Sequence, residues 1–163
     1  MGESFLVFLI KPPPEVADEI DFVRRKLGLY RGYSTDRLHI TIQPLGLRRD
    51  LSDNAILLAR AAADALVHPP FHVAFDQVNG GKLEGSEPIR GFLAFRAAFQ
   101  KAMSTRMSYR KHRTPPHVTL VYKRLSGSRR IDTISWLVEE FLLIESIQGE
   151  GRHIERGRWQ LQF

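Results

Sequence analysis

The sequence carries one short pattern twice. His39-Ile40-Thr41-Ile42 and His117-Val118-Thr119-Leu120 both read histidine, apolar, threonine, apolar. Alternation of this kind is the period of a β-strand, with histidine and threonine on one face and the aliphatic pair on the other. The copies lie about half a chain apart in 163 residues. Such a chain is constrained to set two similar strands around one cleft. Two imidazoles and two hydroxyls then face that cleft, while Ile40, Ile42, Val118 and Leu120 anchor a core.

The rest of the chain supplies elements of both kinds. Residues 3–10 read as a strand, stopped by Pro12-Pro13-Pro14. A helix follows over about 14–29, with Pro14 in its first turn and Val16, Ile20, Val23 and Leu27 at helical spacing. The first histidine strand spans about 37–44. Ser52 or Asp53 caps a second helix reaching about Leu66. Residues 71–78 alternate as a strand, Asn79-Gly80-Gly81 is a turn, and 82–86 make a short strand. Pro88 opens a third helix whose inner stripe is Phe92, Phe95, Phe99 and Met103. The second histidine strand spans 117–124, one long strand 132–146, and a last strand runs from His153 to Gln162. The order predicts an α+β fold with antiparallel or mixed sheets flanked by helices. No linker of disordered composition divides it, so 1–163 reads as one domain.

Charge is unevenly placed. The net charge is +6, and from Pro88 to Ile131 there is no acid but eleven lysines and arginines. A field of this sign, surrounding His117, attracts polyanions. There is no cysteine, which excludes disulfides, thiolate metal sites and a cysteine nucleophile. The apolar run Phe5–Ile10 is too short to cross a bilayer or serve as a signal peptide. A cytoplasmic protein with no membrane attachment and no obligate protein partner is expected.

Two imidazoles in one cleft suit acid–base chemistry, because one is neutral while its neighbour is charged near neutral pH. Threonine hydroxyls donate to phosphoryl oxygens where charge develops. Opening a 2′,3′-cyclic phosphate fits such a site and calls for no metal and no cofactor. His68 and His72 are four apart, but Pro69 and Pro70 prevent the helix that would align them on a metal.

The doubled pattern resembles the 2H phosphoesterase superfamily, in its 2′-5′ RNA ligase-like or RNA 2′,3′-cyclic phosphodiesterase branch. His39-Ile40-Thr41-Ile42-Gln43-Pro44-Leu45-Gly46 is similar to the first motif of that family, and Pro116-His117-Val118-Thr119-Leu120-Val121-Tyr122 to the second. The resemblance implies a bilobal pseudo-twofold fold with two intertwined lobes and a cleft between them. It implies that His39 and His117 are catalytic, that Thr41 and Thr119 hold the phosphate, and that RNA ends or cyclic-phosphate nucleotides are the partners. His117 is read as the base and His39 as the acid. Members carry Arg or Tyr at the position of Tyr122. A phenol contacts phosphate without charge, so Arg113, Lys123 and Arg124 are the candidates for a neighbouring cation.

The implied reaction is hydrolysis to a 2′-phosphate, with 2′-5′ ligation as its reverse. The rival is a non-catalytic module that binds a nucleotide or RNA end without turnover. A general basic RNA binder would instead show steep salt dependence and indifference to loss of either histidine.

Overall fold

A computed structural model describes residues 3–163. Its strands are β1 (Ser4–Ile10), β2 (Ile40–Leu47), β3 (Phe71–Asn79), β4 (Lys82–Glu84), β5 (His117–Thr119), β6 (Ser128–Val138), β7 (Glu140–Ile147) and β8 (Arg152–Gln160). The helices are α1 (Pro14–Lys26), α2 (Asp53–Ala65) and α3 (Arg90–Ser104). The α+β prediction holds. The expectation of two antiparallel or mixed sheets gives way to one eight-stranded sheet, ordered β6-β3-β4-β5-β2-β1-β7-β8. Every pairing in it is antiparallel. The halves merge because the two histidine strands pair with each other, Ile40 opposite Val118.

Local chemistry explains the boundaries. Ser52 is the cap of α2, its hydroxyl accepting from the Ala55 amide at 3.0 Å. Gly80 and Gly81 have φ of 60° and 85°, the left-handed pair that a two-residue hairpin requires between Asn79 and Lys82. The α3 stripe Phe92, Phe95, Phe99 and Met103 is wholly buried. Phe99 meets Phe8 of β1 edge-on at 4.7 Å between ring centres, so this contact clamps α3 onto the sheet. Removing such a ring costs about 3–5 kcal/mol.

Three predicted strands change shape. The first histidine strand begins at Ile40, because residues 35–37 form a 3₁₀ turn capped by the Ser34 hydroxyl. The second ends at Thr119. There the amides of Leu120 and Val121 both turn to the Gly81 carbonyl. The long strand over 132–146 is two strands broken at Glu139. β6 buries alternate residues Ile134, Trp136 and Val138, while β7 buries the continuous run Phe141–Ile144. That change of period marks a strand covered on one face passing into one covered on both.

The break sets the shape of the sheet. β6 lies at one edge and β7 next to the opposite edge. Flat, they would be about 29 Å apart, six spacings of about 4.8 Å. One intervening residue spans about 7 Å between its neighbours. The sheet is therefore sharply curled, with the β2–β5 seam at its centre.

Candidate active site

The seam register places the motif residues. Ile40 opposes Val118. One step either way, His39 falls opposite Thr119 and Thr41 opposite His117. All four point from the face opposite Ile40 and Val118, both fully buried. The result is a square with the imidazoles on one diagonal and the hydroxyls on the other. Neighbours across the seam are about 5 Å apart between Cβ atoms.

Each imidazole is oriented in the same way. The His39 Nδ1–H donates to the Arg37 carbonyl at 2.8 Å, and the His117 Nδ1–H donates to the Pro115 carbonyl at 3.0 Å. A ring that uses Nδ1 to donate presents Nε2 for proton exchange. Two carbonyls, each two residues upstream, thus fix both tautomers.

The surroundings differ. On the outer side of β2, Ile10 of β1 pairs with Ile40, so the next residue, Lys11, stands beside His39. On the outer side of β5, Glu84 of β4 pairs with His117, and Lys82 pairs with Thr119. Arg37 and His153 complete the surroundings of His39, the His153 ring lying edge-on to it at 5.9 Å. Burial is the largest cause holding the His39 pKa below the usual imidazole value. The hydrogen bond to the Arg37 carbonyl opposes it, and the charges of Lys11, His117 and Arg37 add to the lowering. His153 is pushed down to about 4, chiefly by burial and then by Lys11. Burial also lowers the Lys11 ammonium.

Tyr122 is more than half exposed and meets Tyr33 edge-on at 5.3 Å. The cation beside it is Arg37, whose guanidinium lies 4.8 Å from the Tyr33 ring centre and 5.5 Å from that of Tyr122. Buried Arg24 of α1 steadies this loop by donating to the Tyr33 carbonyl at 3.0 Å. Arg113, Lys123 and Arg124 are exposed. Arg113 lines a groove of 380 Å³ with Arg96, Pro115 and Pro116. The sequence signal for Arg37 was its place two residues before His39, matched by the cation preceding the second motif.

Gln43 is a further residue that the periodicity did not single out. A register shift in β2 between its pairings with Leu9 and Phe8 turns Gln43 into the interior. Its amide donates to the Arg110 carbonyl at 2.9 Å. Its oxygen accepts from the His112 amide at 3.0 Å and from Gln100 of α3 at 3.0 Å. The first motif thereby holds the basic loop that leads into the second. Among the described residues, no group of three or more His, Asp or Glu side chains is placed to hold a metal ion. No helix among them is long and apolar enough to cross a membrane.

An antiparallel, curled α+β sheet with a doubled histidine–threonine square at its seam defines the class of the 2H phosphoesterases. Residues 12–149 match the profile of the 2′-5′ RNA ligase superfamily, and the chain belongs to that enzyme family. Among solved structures, Escherichia coli LigT in its apo form matches with a TM-score of 0.78 and 24% identity over 100% of both chains. A crystal structure described as a phosphoesterase matches at 0.79 with 21% identity over 99% of both. The protein TT0787 of Thermus thermophilus matches at 0.70 with 16% identity, over 96% of this chain and 97% of the other. LigT has also been crystallised with 3′-AMP and with ATP. No curated protein matches by sequence.

Proposed function

We propose that this protein is a metal-independent phosphodiesterase that opens the 2′,3′-cyclic phosphate of an RNA end or nucleotide to a 2′-phosphate. The observation that carries the reading is the square of two imidazoles and two hydroxyls, each imidazole fixed through Nδ1 by an upstream carbonyl. Membership of the 2′-5′ RNA ligase superfamily supports it.

We assign the two roles in the opposite order to the sequence expectation. His39, whose pKa is lowered by burial and by the charges of Lys11 and Arg37, is the base. His117, next to Glu84, is the acid. His39 Nε2 removes a proton from water, whose oxygen attacks phosphorus. The bond from phosphorus to the ribose 3′ oxygen breaks, and that oxygen takes the proton from His117 Nε2. The product carries a 2′-phosphate and a free 3′-hydroxyl. Thr41 and Thr119 donate to the non-bridging oxygens as charge builds there. With a 5′-hydroxyl in place of water, His39 takes the proton of that hydroxyl, its oxygen attacks phosphorus, and the 3′ oxygen leaves with the proton from His117, which forms the phosphodiester of the 2′-5′ ligation reading.

The test is hydrolysis of a nucleoside 2′,3′-cyclic phosphate in the presence of a chelator, with products separated as 2′- and 3′-phosphates. Turnover giving the 2′-phosphate is expected, with losses of about 10²–10⁴ in His39→Ala and in His117→Ala. Full activity in either variant would refute the mechanism. Tight binding of a 2′-phosphate with no turnover in wild type would return the protein to the rival reading of a binding module.

A further inference from the structure

The His39 side of the square holds more positive charge than the reacting phosphate uses. Lys11 is half-buried beside His39, one residue past the Ile10–Ile40 pair. Among the described residues no hydrogen bond or ion pair engages its ammonium. The acids whose charges act on it are Asp36 and Glu155, and Glu155 pairs with Arg158 at 2.6 Å.

The Arg37 guanidinium is likewise without an acid or carbonyl partner among the described residues, and its Nε is buried and unbonded. Tyr33 and Tyr122 hold it by their rings. Gly151 lets the chain pass closely. A Cβ there would lie 3.2 Å from the guanidinium, at a backbone φ of 62° that side chains rarely adopt. The His153 Nδ1 is a second buried nitrogen with no partner in the same region. A buried guanidinium N–H without a partner carries a cost of about 1–3 kcal/mol, so a fold that keeps Arg37 in this place leaves it for a ligand.

On the premise that the square opens a cyclic phosphate, we infer that Lys11 and Arg37 form a second anion subsite flanking His39, which takes another phosphate of the same substrate. The substrate class is thereby an oligonucleotide end or a 5′-phosphorylated nucleotide, rather than a nucleoside cyclic phosphate bearing one phosphorus. On the His39 side these cations face the square with no acid engaged to them among the described residues, whereas on the other side the charges are mixed, Lys82 pairing with Thr119 beside Glu84. On the opposite side, Glu84 stands next to His117 and accepts from Gln77 and Asn79 at 2.9 and 3.0 Å. The ribose is oriented with its 5′ side over β1 and its reacting edge over the seam. Arginine and lysine together suit a phosphodiester, the planar fork taking two oxygens and the ammonium acting as a point charge.

The experiment measures binding and turnover separately. Calorimetry compares adenosine 2′-phosphate with adenosine 2′,5′-bisphosphate, which are stable product analogues, on wild type, Lys11→Met and Arg37→Gln. Wild type should bind the bisphosphate about 10–100-fold more tightly, the range for one or two charge-assisted hydrogen bonds. The preference should fall below about threefold in each variant, at unchanged circular dichroism. His117→Ala should keep the preference while losing turnover, so the subsite stands or falls independently of the reaction. Equal affinity for the two analogues in wild type, or an unchanged preference in both variants, overturns the inference. In turnover, the ratio of kcat/KM for cytidine 2′,3′-cyclic phosphate with and without a 5′-phosphate should follow the same order.

Discussion

The two halves of the sheet carry near-identical tetrapeptides in different company. Around His39, strand β2 runs eight residues, and Lys11, Arg37 and His153 crowd the imidazole. Around His117, strand β5 runs three residues, Glu84 is the neighbour, and the chain beyond Val121 is exposed. The i−2 carbonyl that fixes each ring is the same. A duplicated motif therefore supplies orientation, and the residue across the next strand supplies polarity. The proposed direction of proton flow rests on Lys11 against Glu84, not on the motif.

The most severe challenge to this contrast separates base from acid. Both alanine variants should lose about 10²–10⁴ on a ribose cyclic phosphate. On a p-nitrophenyl phosphodiester, whose leaving group needs no proton, His117→Ala should return to within about tenfold of wild type, while His39→Ala stays impaired. Recovery in His39→Ala instead would exchange the roles. Next in size, Thr41→Val and Thr119→Val should each lower kcat about 10–100-fold, the worth of a hydrogen bond to a charged oxygen. A loss confined to one of them would show that the square is used unevenly.

Gln43 sharpens the contrast structurally, since the corresponding residue of the second motif is the apolar Val121. Gln43→Leu strands Gln100 and the Arg110 and His112 backbone groups. Urea unfolding should show a loss of about 1–3 kcal/mol.

Two pH measurements complete the set. The acidic limb of kcat/KM follows loss of the proton from His39, which faces Lys11 from β1, His117 from β5 and His153 from β8, with Arg37 on its own segment. That limb should lie below about 6.5, the ordinary imidazole value. Lys11→Met removes a charge that disfavours the imidazolium, so the limb should move up towards that value. The smallest effect is on stability. The folded protein holds His153 at about 4, whereas the unfolded chain takes up its proton near 6.5. The unfolded state thus binds more protons between these limits, and stability falls as pH drops through them. His153→Gln should flatten that part of the Tm profile, and an unaltered slope would place the titration elsewhere.

Much of this was legible in the residues. The periodicity placed three helices to within a few residues, and the repeated tetrapeptide located all four members of the square. What stayed hidden depends on register. Nothing local in Lys11 says that it stands beside His39, because that follows from how β1 slides along β2. Arg37 was visible only as a flank, since its ring contacts come from two loops distant in sequence. Arg113, Lys123 and Arg124 drew attention through an acid-free stretch and are exposed, as solvated or anion-binding cations both are. The break at Glu139 was written in the change from alternating to continuous apolar residues, and a single long strand obscured it.

That break has a mechanical consequence. Within the sheet the halves meet at the centre through one ladder pair, Ile40 with Val118, and at the periphery through the single residue Glu139. Helix α3 ties them a third time, through Phe99 on Phe8 of β1 and Gln100 on Gln43 of β2. A ribbon fastened at three places resists sliding, twisting and opening, so the spacing between the two imidazoles is held by the scaffold and does not depend on what enters the cleft.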